Sequence, residues 1–523
     1  MVFLASSLKE IKGVKVDSYG ETEIFEGFPV FFYSVVQAPL SEQEKNIASL
    51  LRSLIVGKIS LDAAQQSSAL KIGSDFLAEF QDRIISTVNY KEGLSKIMSP
   101  EDYDALRVDL IALLKQFFPN LKNTPELVNQ VLDATVGYGR ISSLMRDSEL
   151  EEIMINGFDR PVFVFHKTFG MCKANLVFQK GPELELLINK IASTVGKTFD
   201  DSGPLLDARL LGGNRANATY PLVTPFGPSL TIRKFTRTPL SIIDLIANST
   251  LSSELAAFLW VMVEGLNIEP MNIIITGGTG SGKTTTLNVL SSFIRHQDRI
   301  VTIEDTLELD LGSRENWVQL ESKPHSRESP EVTMDDLLKN ALRMRPDRIL
   351  VGEVRGSEAR TLFVAMDTGH QGSMGTLHSN SSSEMILRLK AEPMGVPEAM
   401  IPLLDLIVVQ YRMYIKGKGI LRRIAQVSEV ASMEKQALLS NVFEWNRSVD
   451  KIVKTDIPSH IMEKLADKTM RTKKEISREI DVRKKVFDWM LANNIHSTPD
   501  VETVIQRYYY DAETILERVA ADL

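Results

Sequence analysis

The chain has 523 residues, 43% hydrophobic and 24% charged, with a net charge of −8. That balance describes a folded globular chain of three or four domains at ~100–200 residues each, and it disfavours a protein that coats nucleic acid. A single cysteine, Cys172, excludes an internal disulfide and a cysteine metal cage. The longest apolar stretches, residues 28–36 and 400–409, fall well short of the ~20 residues of a membrane span, and Asp405 interrupts the second. No basic-then-apolar leader opens the chain, which points to a cytoplasmic protein. No internal repeat or low-complexity tract is present.

Residues 1–40 mix glycine, proline and aromatics without clear periodicity. Ser41 and Glu44 are spaced as a capping box ahead of Ile47, Leu50, Leu51, Leu54 and Ile55 at helical intervals. Helical pattern continues over residues 60–90 and 100–117. Residues 1–120 therefore read as a mostly helical N-terminal region, either a local bundle or a docking surface for a partner. One more helix is expected over residues 125–145. Alternation of period two then begins, with PVFVF at 161–165 as a strand and Gly170 at a turn. An amphipathic helix over 182–194 and renewed alternation over 209–235 complete an α+β lobe, residues 121–235. Residues 236–245 read as a linker.

From residue 246 to 434 short apolar runs alternate with helical segments. Ile273 to Thr276, Arg299 to Ile303 and Arg348 to Val351 read as strands, and Thr333 with Asp336 caps a helix between them. Such alternation implies a parallel sheet covered by helices. A late strand is expected over 424–430. Residues 435–523 read as a charged helical extension, either a solvated cap on the core or a partner-binding tail.

The stretch NIIITGGTGSGKTTTLNVL, residues 272–290, carries the strongest chemical signal. A strand, a loop fitting G-x-x-x-x-G-K-[ST] and a helix follow one another. Glycines let the loop backbone turn its N–H groups around an anion, and the helix N-terminus adds positive potential. Gly278, Thr279, Gly280, Ser281, Gly282, Lys283, Thr284 and Thr285 are the candidate phosphate-binding residues. Lys283 suits the β- and γ-phosphates of ATP, and the Thr284 hydroxyl suits Mg²⁺.

Glu304 and Asp305 follow one expected strand, and Glu353 follows another. At the C-terminal edge of a parallel sheet these carboxylates face the phosphate loop. Phosphoryl transfer needs a carboxylate that holds the metal and a group that orients water, so Thr284, Glu304, Asp305 and Glu353 form the candidate metal set. His370 and His378 lie in a polar, glycine-rich stretch. They read as exposed loop histidines or as a sensor of the γ-phosphate or of a neighbouring subunit; zinc lacks a ligand set. Arg209, Arg215, Arg233, Lys234 and Arg237 precede the loop. Each alone reads as a solvated surface charge, but an arginine from outside the core domain suits the transition state of phosphoryl transfer. Arg209, Arg215 and Arg233 are the candidates, unranked.

Four stretches together resemble the secretion ATPases of type II and type IV systems, a family that includes pilus assembly and retraction motors. They are GGTGSGKT (277–284), TIEDTLEL (302–309), RPDRILVGEVRG (345–356) and TGHQGSMGTLH (368–378). Residues 148–170, 212–235 and 378–412, with FEWN at 443–446, resemble one branch more closely, the archaellum (archaeal flagellum) motor ATPases. The tetracysteine zinc element of some type II relatives is absent.

The resemblance implies a RecA-like P-loop core preceded by a PAS-like α+β domain. It also implies Glu353 as the catalytic or water-orienting carboxylate, Glu304 near metal and water, and nucleotide bound between two lobes. It further implies a homo-hexamer, peripheral at the inner face of the membrane and docked to a polytopic platform protein and other cytosolic motor components. The expected function is therefore an ATP-driven motor for archaellum assembly and rotation. The alternatives are a type IV pilus or secretion ATPase and a nucleic-acid motor, which the acidic charge disfavours.

Overall fold

The computed structural model describes residues 13–36, 39–55, 79–80, 82–84, 87, 96–234, 239–323, 330–415, 419–433 and 436–522. The chain forms two compact units, Met1–Thr236 and Arg237–Leu523. Most of the helical pattern expected over 60–90, together with Arg237 and residues 236–238 of the expected linker, lies outside the described residues.

The N-terminal unit is built on nine strands. They are β1 (Lys15–Tyr19), β2 (Thr22–Phe25), β3 (Phe31–Val35), β4 (Leu150–Asn156), β5 (Pro161–His166), β6 (Gly170–Val177), β7 (Leu205–Arg209), β8 (Arg215–Thr219) and β9 (Ser229–Arg233), in the spatial order β1-β2-β3-β6-β5-β4-β9-β8-β7. Among the described strands of this sheet only β3 with β6 is parallel. One face packs on the helix Pro182–Thr194 through Val162, Val164, Leu206, Ala208, Leu230 and Ile232. A second cluster joins the helices Glu42–Ile55, Pro100–Phe117 and Thr124–Thr135, through Leu50, Leu51, Leu110, Leu114, Leu127 and Val131. Ser41 and Glu44 make their capping bonds, with Ser41 Oγ 2.8 Å from Glu44 Oε2.

Within the expected N-terminal region, residues 15–35 form three strands that extend the sheet of the lobe, and the described helices begin at Glu42. Their side chains explain the placement. Asp147 accepts hydrogen bonds from Tyr19 OH at 3.0 Å and Tyr33 OH at 2.5 Å, and Tyr19 OH lies 2.9 Å from His166 Nε2. These bonds span more than a hundred residues of sequence, so no local pattern announces them.

The C-terminal unit holds β10 (Ile273–Gly277), β11 (Ile300–Glu304), β12 (Trp317–Glu321), β13 (Arg348–Val354), β14 (Met374–Leu377), β15 (Leu406–Ile415), β16 (Gly419–Met433), β17 (Gln436–Asn446) and β18 (Lys451–Lys454). Their order is β12-β11-β13-β14-β10-β15-β16-β17-β18. The first six run parallel, and β15 to β18 form an antiparallel meander. The phosphate-loop strand β10 is separated from the acidic strand β13 by β14, the RecA-like order. Helices cover both faces. Ile273 and Ile275 enter one core cluster and Ile274 the other, as do Leu406 and Val408 against Ile407 and Val409.

The expected extension over 435–523 is corrected. It begins with β17 and β18, and helices start only at His460. Those helices, Lys473–Ala492 and Thr498–Tyr510 among them, are a layer of the core rather than a solvated cap. Trp260 stacks on Phe293 at 5.8 Å and meets Phe487 at 5.0 Å. Arg483 is buried over Trp260 at 4.8 Å and pairs with Glu264 at 2.9 Å. A buried charge of this kind is tolerated because it is both paired and hydrogen-bonded. Within the expected linker, Ser241 and Asp244 form a capping box that starts the helix Ile242–Ala247.

Candidate functional site

Four parallel strands, β11, β13, β14 and β10, end side by side on one edge of the C-terminal sheet, and each carries a chemically active residue at or just beyond that end. β10 leads into the phosphate loop, residues 277–284, and the helix Lys283–Ser291. Gly280 and Gly282 take φ of +69° and +96°, a conformation that favours glycine. A Cβ on Gly277 would lie 2.2 Å from the Gln410 carbonyl oxygen, so the loop leaves its strand where no side chain fits. Gly282 caps the helix without a side-chain hydrogen bond. The first N–H groups of a helix have no intrahelical partner and suit an anion.

Lys283 Nζ donates to the carbonyls of Gly277 at 3.0 Å and Gly278 at 3.2 Å, and lies 3.5 Å from His378 Nδ1. Thr284 and Thr285 occupy the next helical positions, both half-buried. His378 follows β14 directly. Its carbonyl accepts from Arg388, and the adjacent Ser379 is tied to β10 through Thr276 Oγ1 at 2.9 Å. Burial and the neighbouring Lys283 ammonium hold the His378 imidazole below its ordinary pKa. His370 lies elsewhere: it precedes β14, at the opposite edge of the sheet, and its carbonyl accepts from Ser373 Oγ. The two histidines of one motif are thus separated by the length of a strand.

The acids sit slightly differently from the sequence reading. Glu304 is the last residue of β11 rather than the first beyond it, and Glu353 lies within β13 at a register shift between Val351 and Val354. Glu304 is buried, and its Oε2 accepts from the N–H groups of Glu308 at 2.7 Å and Leu309 at 2.9 Å. Its side chain crosses Gly352: a Cβ there would meet Glu304 Cγ at 2.9 Å. The glycine before Glu353 is therefore room for Glu304.

Glu353 accepts from Arg355 Nη2 at 2.8 Å, and Arg355 Nη1 lies 3.6 Å from the exposed Asp305. Burial pushes the Glu353 carboxyl up, but the Arg355 hydrogen bond and charge, with Lys283 and His378 behind it, outweigh burial and hold it below the usual range. The edge thus carries a run Lys283, His378, Glu353, Arg355 and Asp305, in which Arg355 stands between the two acids.

Among the described residues no three His, Cys, Asp or Glu side chains form a metal cage. The donor set fits Mg²⁺ nonetheless. That ion takes one or two protein ligands and completes its shell with phosphate oxygens and water. Thr284 belongs to the loop and Glu353 lies in the field of Lys283, while Glu304 ends β11, with β13 and β14 between it and β10, and Asp305 is paired with Arg355 and Ser322.

Arg209, Arg215 and Arg233 lie on the N-terminal unit. They stand directly opposite one another across β7, β8 and β9, and Arg233 faces Glu152 on β4. Opposite residues share a sheet face, so the three guanidinium groups line one row on the face away from the core. Lys234 is not part of it. Its ammonium donates to the carbonyls of Leu144 and Asp147, and burial lowers its pKa to about 8.

Sequence reasoning passed over Arg355, although it stands only two residues from Glu353, just past the end of β13. It also passed over Gln410, Arg412 and Arg422, which pack against the phosphate loop from more than a hundred residues away. For these the chain holds no local signal.

Residues 212–479 match the family described as type II/IV secretion system protein. An uncharacterised protein of Methanocaldococcus jannaschii is 51% identical over 242 residues, which are 45% of this chain and 33% of that protein. The chain thus spans about a third of that relative's length. The conjugal transfer protein TrbB of Rhizobium radiobacter is 32% identical over 319 residues, 59% of this chain and 92% of TrbB. Among solved structures, the VirB11 ATPase from the Brucella suis type IV secretion system aligns with 55% of this chain and 90% of its own, at 27% identity and a TM-score of 0.28. The matched residues are just over half of the chain and include the phosphate loop, Glu304, Glu353 and His378; the protein belongs to the type II/IV secretion system protein family.

Proposed function

We propose that the protein is a Mg²⁺-dependent ATPase that works as a homo-hexameric motor at the inner face of the cell membrane. It drives assembly of the archaellum, and rotation of the filament, through a polytopic membrane platform protein. The observation that carries the enzymatic part is the convergence of Lys283, His378 and Glu353 beside the phosphate loop at one sheet edge.

In this reading the loop amides of residues 278–285 and Lys283 hold the ATP phosphates, and Thr284 holds Mg²⁺, with Glu304 and Asp305 around it. Glu353, supported by Glu304, orients the attacking water. His378 donates toward the γ-phosphate. Arg209, Arg215 and Arg233 are the unranked candidates for the arginine that stabilises the transition state.

The archaellum branch is supported by the stretches at 148–170, 212–235 and 378–412. A second reading, a pilus or secretion ATPase with the same chemistry, is supported by the conjugal and secretion relatives. Replacing the native copy with Lys283→Ala separates them. Loss of archaella and swimming with adhesive pili intact is expected; intact swimming with missing pili moves the protein to the second reading. ATP hydrolysis by the purified Lys283→Ala variant at the wild-type rate would refute the site itself.

A further inference from the structure

The outer side of the phosphate loop rests on the antiparallel hairpin of β15 and β16. Thr286 Oγ1 donates to Gln410 Oε1 at 2.8 Å, and Arg422 Nε donates to the Gly280 carbonyl at 3.0 Å. Arg412 stands directly across the ladder from Arg422, and its Nη1 lies 2.7 Å from where a Cβ on Gly280 would be. Like charges directly opposite each other in an antiparallel ladder are destabilising, and a partner outside the sheet offsets part of that cost.

The loop supplies one. In a trans peptide the C=O and the N–H point in opposite directions. Arg422 holds the Gly280 oxygen, and the Ser281 N–H of the same peptide therefore points the other way, where it donates to the Gly278 oxygen at 3.3 Å and closes the loop's turn. That turn orders the backbone on which the neighbouring N–H groups can form an anion nest. Glycines let the guanidinium approach: at Gly282 a Cβ would meet Arg422 Cδ at 3.3 Å. The hairpin itself is anchored. Arg423 holds the Asp450 carboxylate with two bonds of 2.9 Å and the Asn248 carbonyl at 3.0 Å, and Ile424 N–H bonds the Thr250 carbonyl at 2.8 Å.

We propose that Arg422 is a positioning residue of the nucleotide site, which sets the Gly280–Ser281 peptide so that the loop is ready for a polyphosphate before one binds. The inference rests on the nucleotide reading above. Arg422 acts through the place of its Nε donor, not through charge alone, and Arg412 backs it across the ladder.

The test uses the full-length protein, with ATP hydrolysis and titration of a fluorescent ADP analogue as two readouts. Arg422→Ala and Arg422→Lys are compared with wild type and Lys283→Ala, each checked by thermal melting. Lysine keeps the charge and the stem but has no donor at the Nε position. A rise of about tenfold in KM and in analogue Kd is expected for both Arg422 variants, with kcat within about twofold, as for a lost charge-assisted hydrogen bond that serves ground and transition states alike. An Arg422→Lys variant that binds like wild type overturns the proposal, whether or not Arg422→Ala is impaired. A wild-type protein that neither hydrolyses ATP nor binds the analogue removes instead the nucleotide reading on which the proposal stands.

Discussion

Strand β7 of the N-terminal unit buries Leu206 and Ala208 and exposes Leu205, Asp207 and Arg209. Strand β10 of the C-terminal unit buries Ile273, Ile274 and Ile275 in succession. Both strands sit in nine-stranded sheets, yet they solve different problems. An antiparallel sheet packed on one side presents its other face as a surface, and there Arg209, Arg215 and Arg233 line up. A parallel sheet covered on both sides has no face left, so its chemistry is confined to the ends of its strands. That is where Lys283, Glu304, Glu353 and His378 are found. The one unit offers a charged surface and the other a concentrated edge.

The contrast breaks most visibly at Glu353. Glu353→Gln is expected to lower kcat for ATP hydrolysis by roughly a thousandfold, while titration of a fluorescent nucleotide shows binding retained. A variant with near-wild-type turnover would move the chemistry away from this edge. Next come the cores. Ile274→Ala and Ile275→Ala, adjacent on β10, should each cost about 2–5 kcal/mol in chemical denaturation, as should Leu206→Ala on β7. Adjacent costs of this size are the mark of a sheet buried on both faces.

A smaller effect is expected in the pH profile. Arg355 opposes the upward push of burial on Glu353, so the carboxylate is ionised to below the ordinary acid range. Removing the guanidinium lets burial prevail and raises that pKa. The acid limb of kcat in Arg355→Ala therefore moves to higher pH, whereas a limb that stays in place detaches Arg355 from Glu353. The smallest effect belongs to Leu205→Ala. At 68% exposure, against 1% for Leu206, it should shift stability by less than about 0.5 kcal/mol, and a large loss would mean that the exposed face is covered.

The chain itself determined the phosphate loop, the strands around it and the acids at their ends, because each depends on neighbours within a few residues. A glycine-rich turn, a capping pair such as Thr333 with Asp336, and an apolar run are local matters of backbone freedom and burial. The helix of Thr333, with its reciprocal cap, and the strand of Pro161 lie where their residues predict. Tertiary structure alone decided the rest. The strands β1–β3 have little periodicity of their own and are held by Asp147, Tyr19, Tyr33 and His166. The C-terminal helices carry enough charge to read as a solvated layer, yet Arg483 is buried because Glu264 and Trp260 receive it from two hundred residues away. The split of His370 from His378 follows from which edge of β14 each one meets. The clasp of Arg422 on Gly280 follows from the pairing of β15 with β16, a long-range hydrogen-bond ladder that no stretch of sequence encodes by itself.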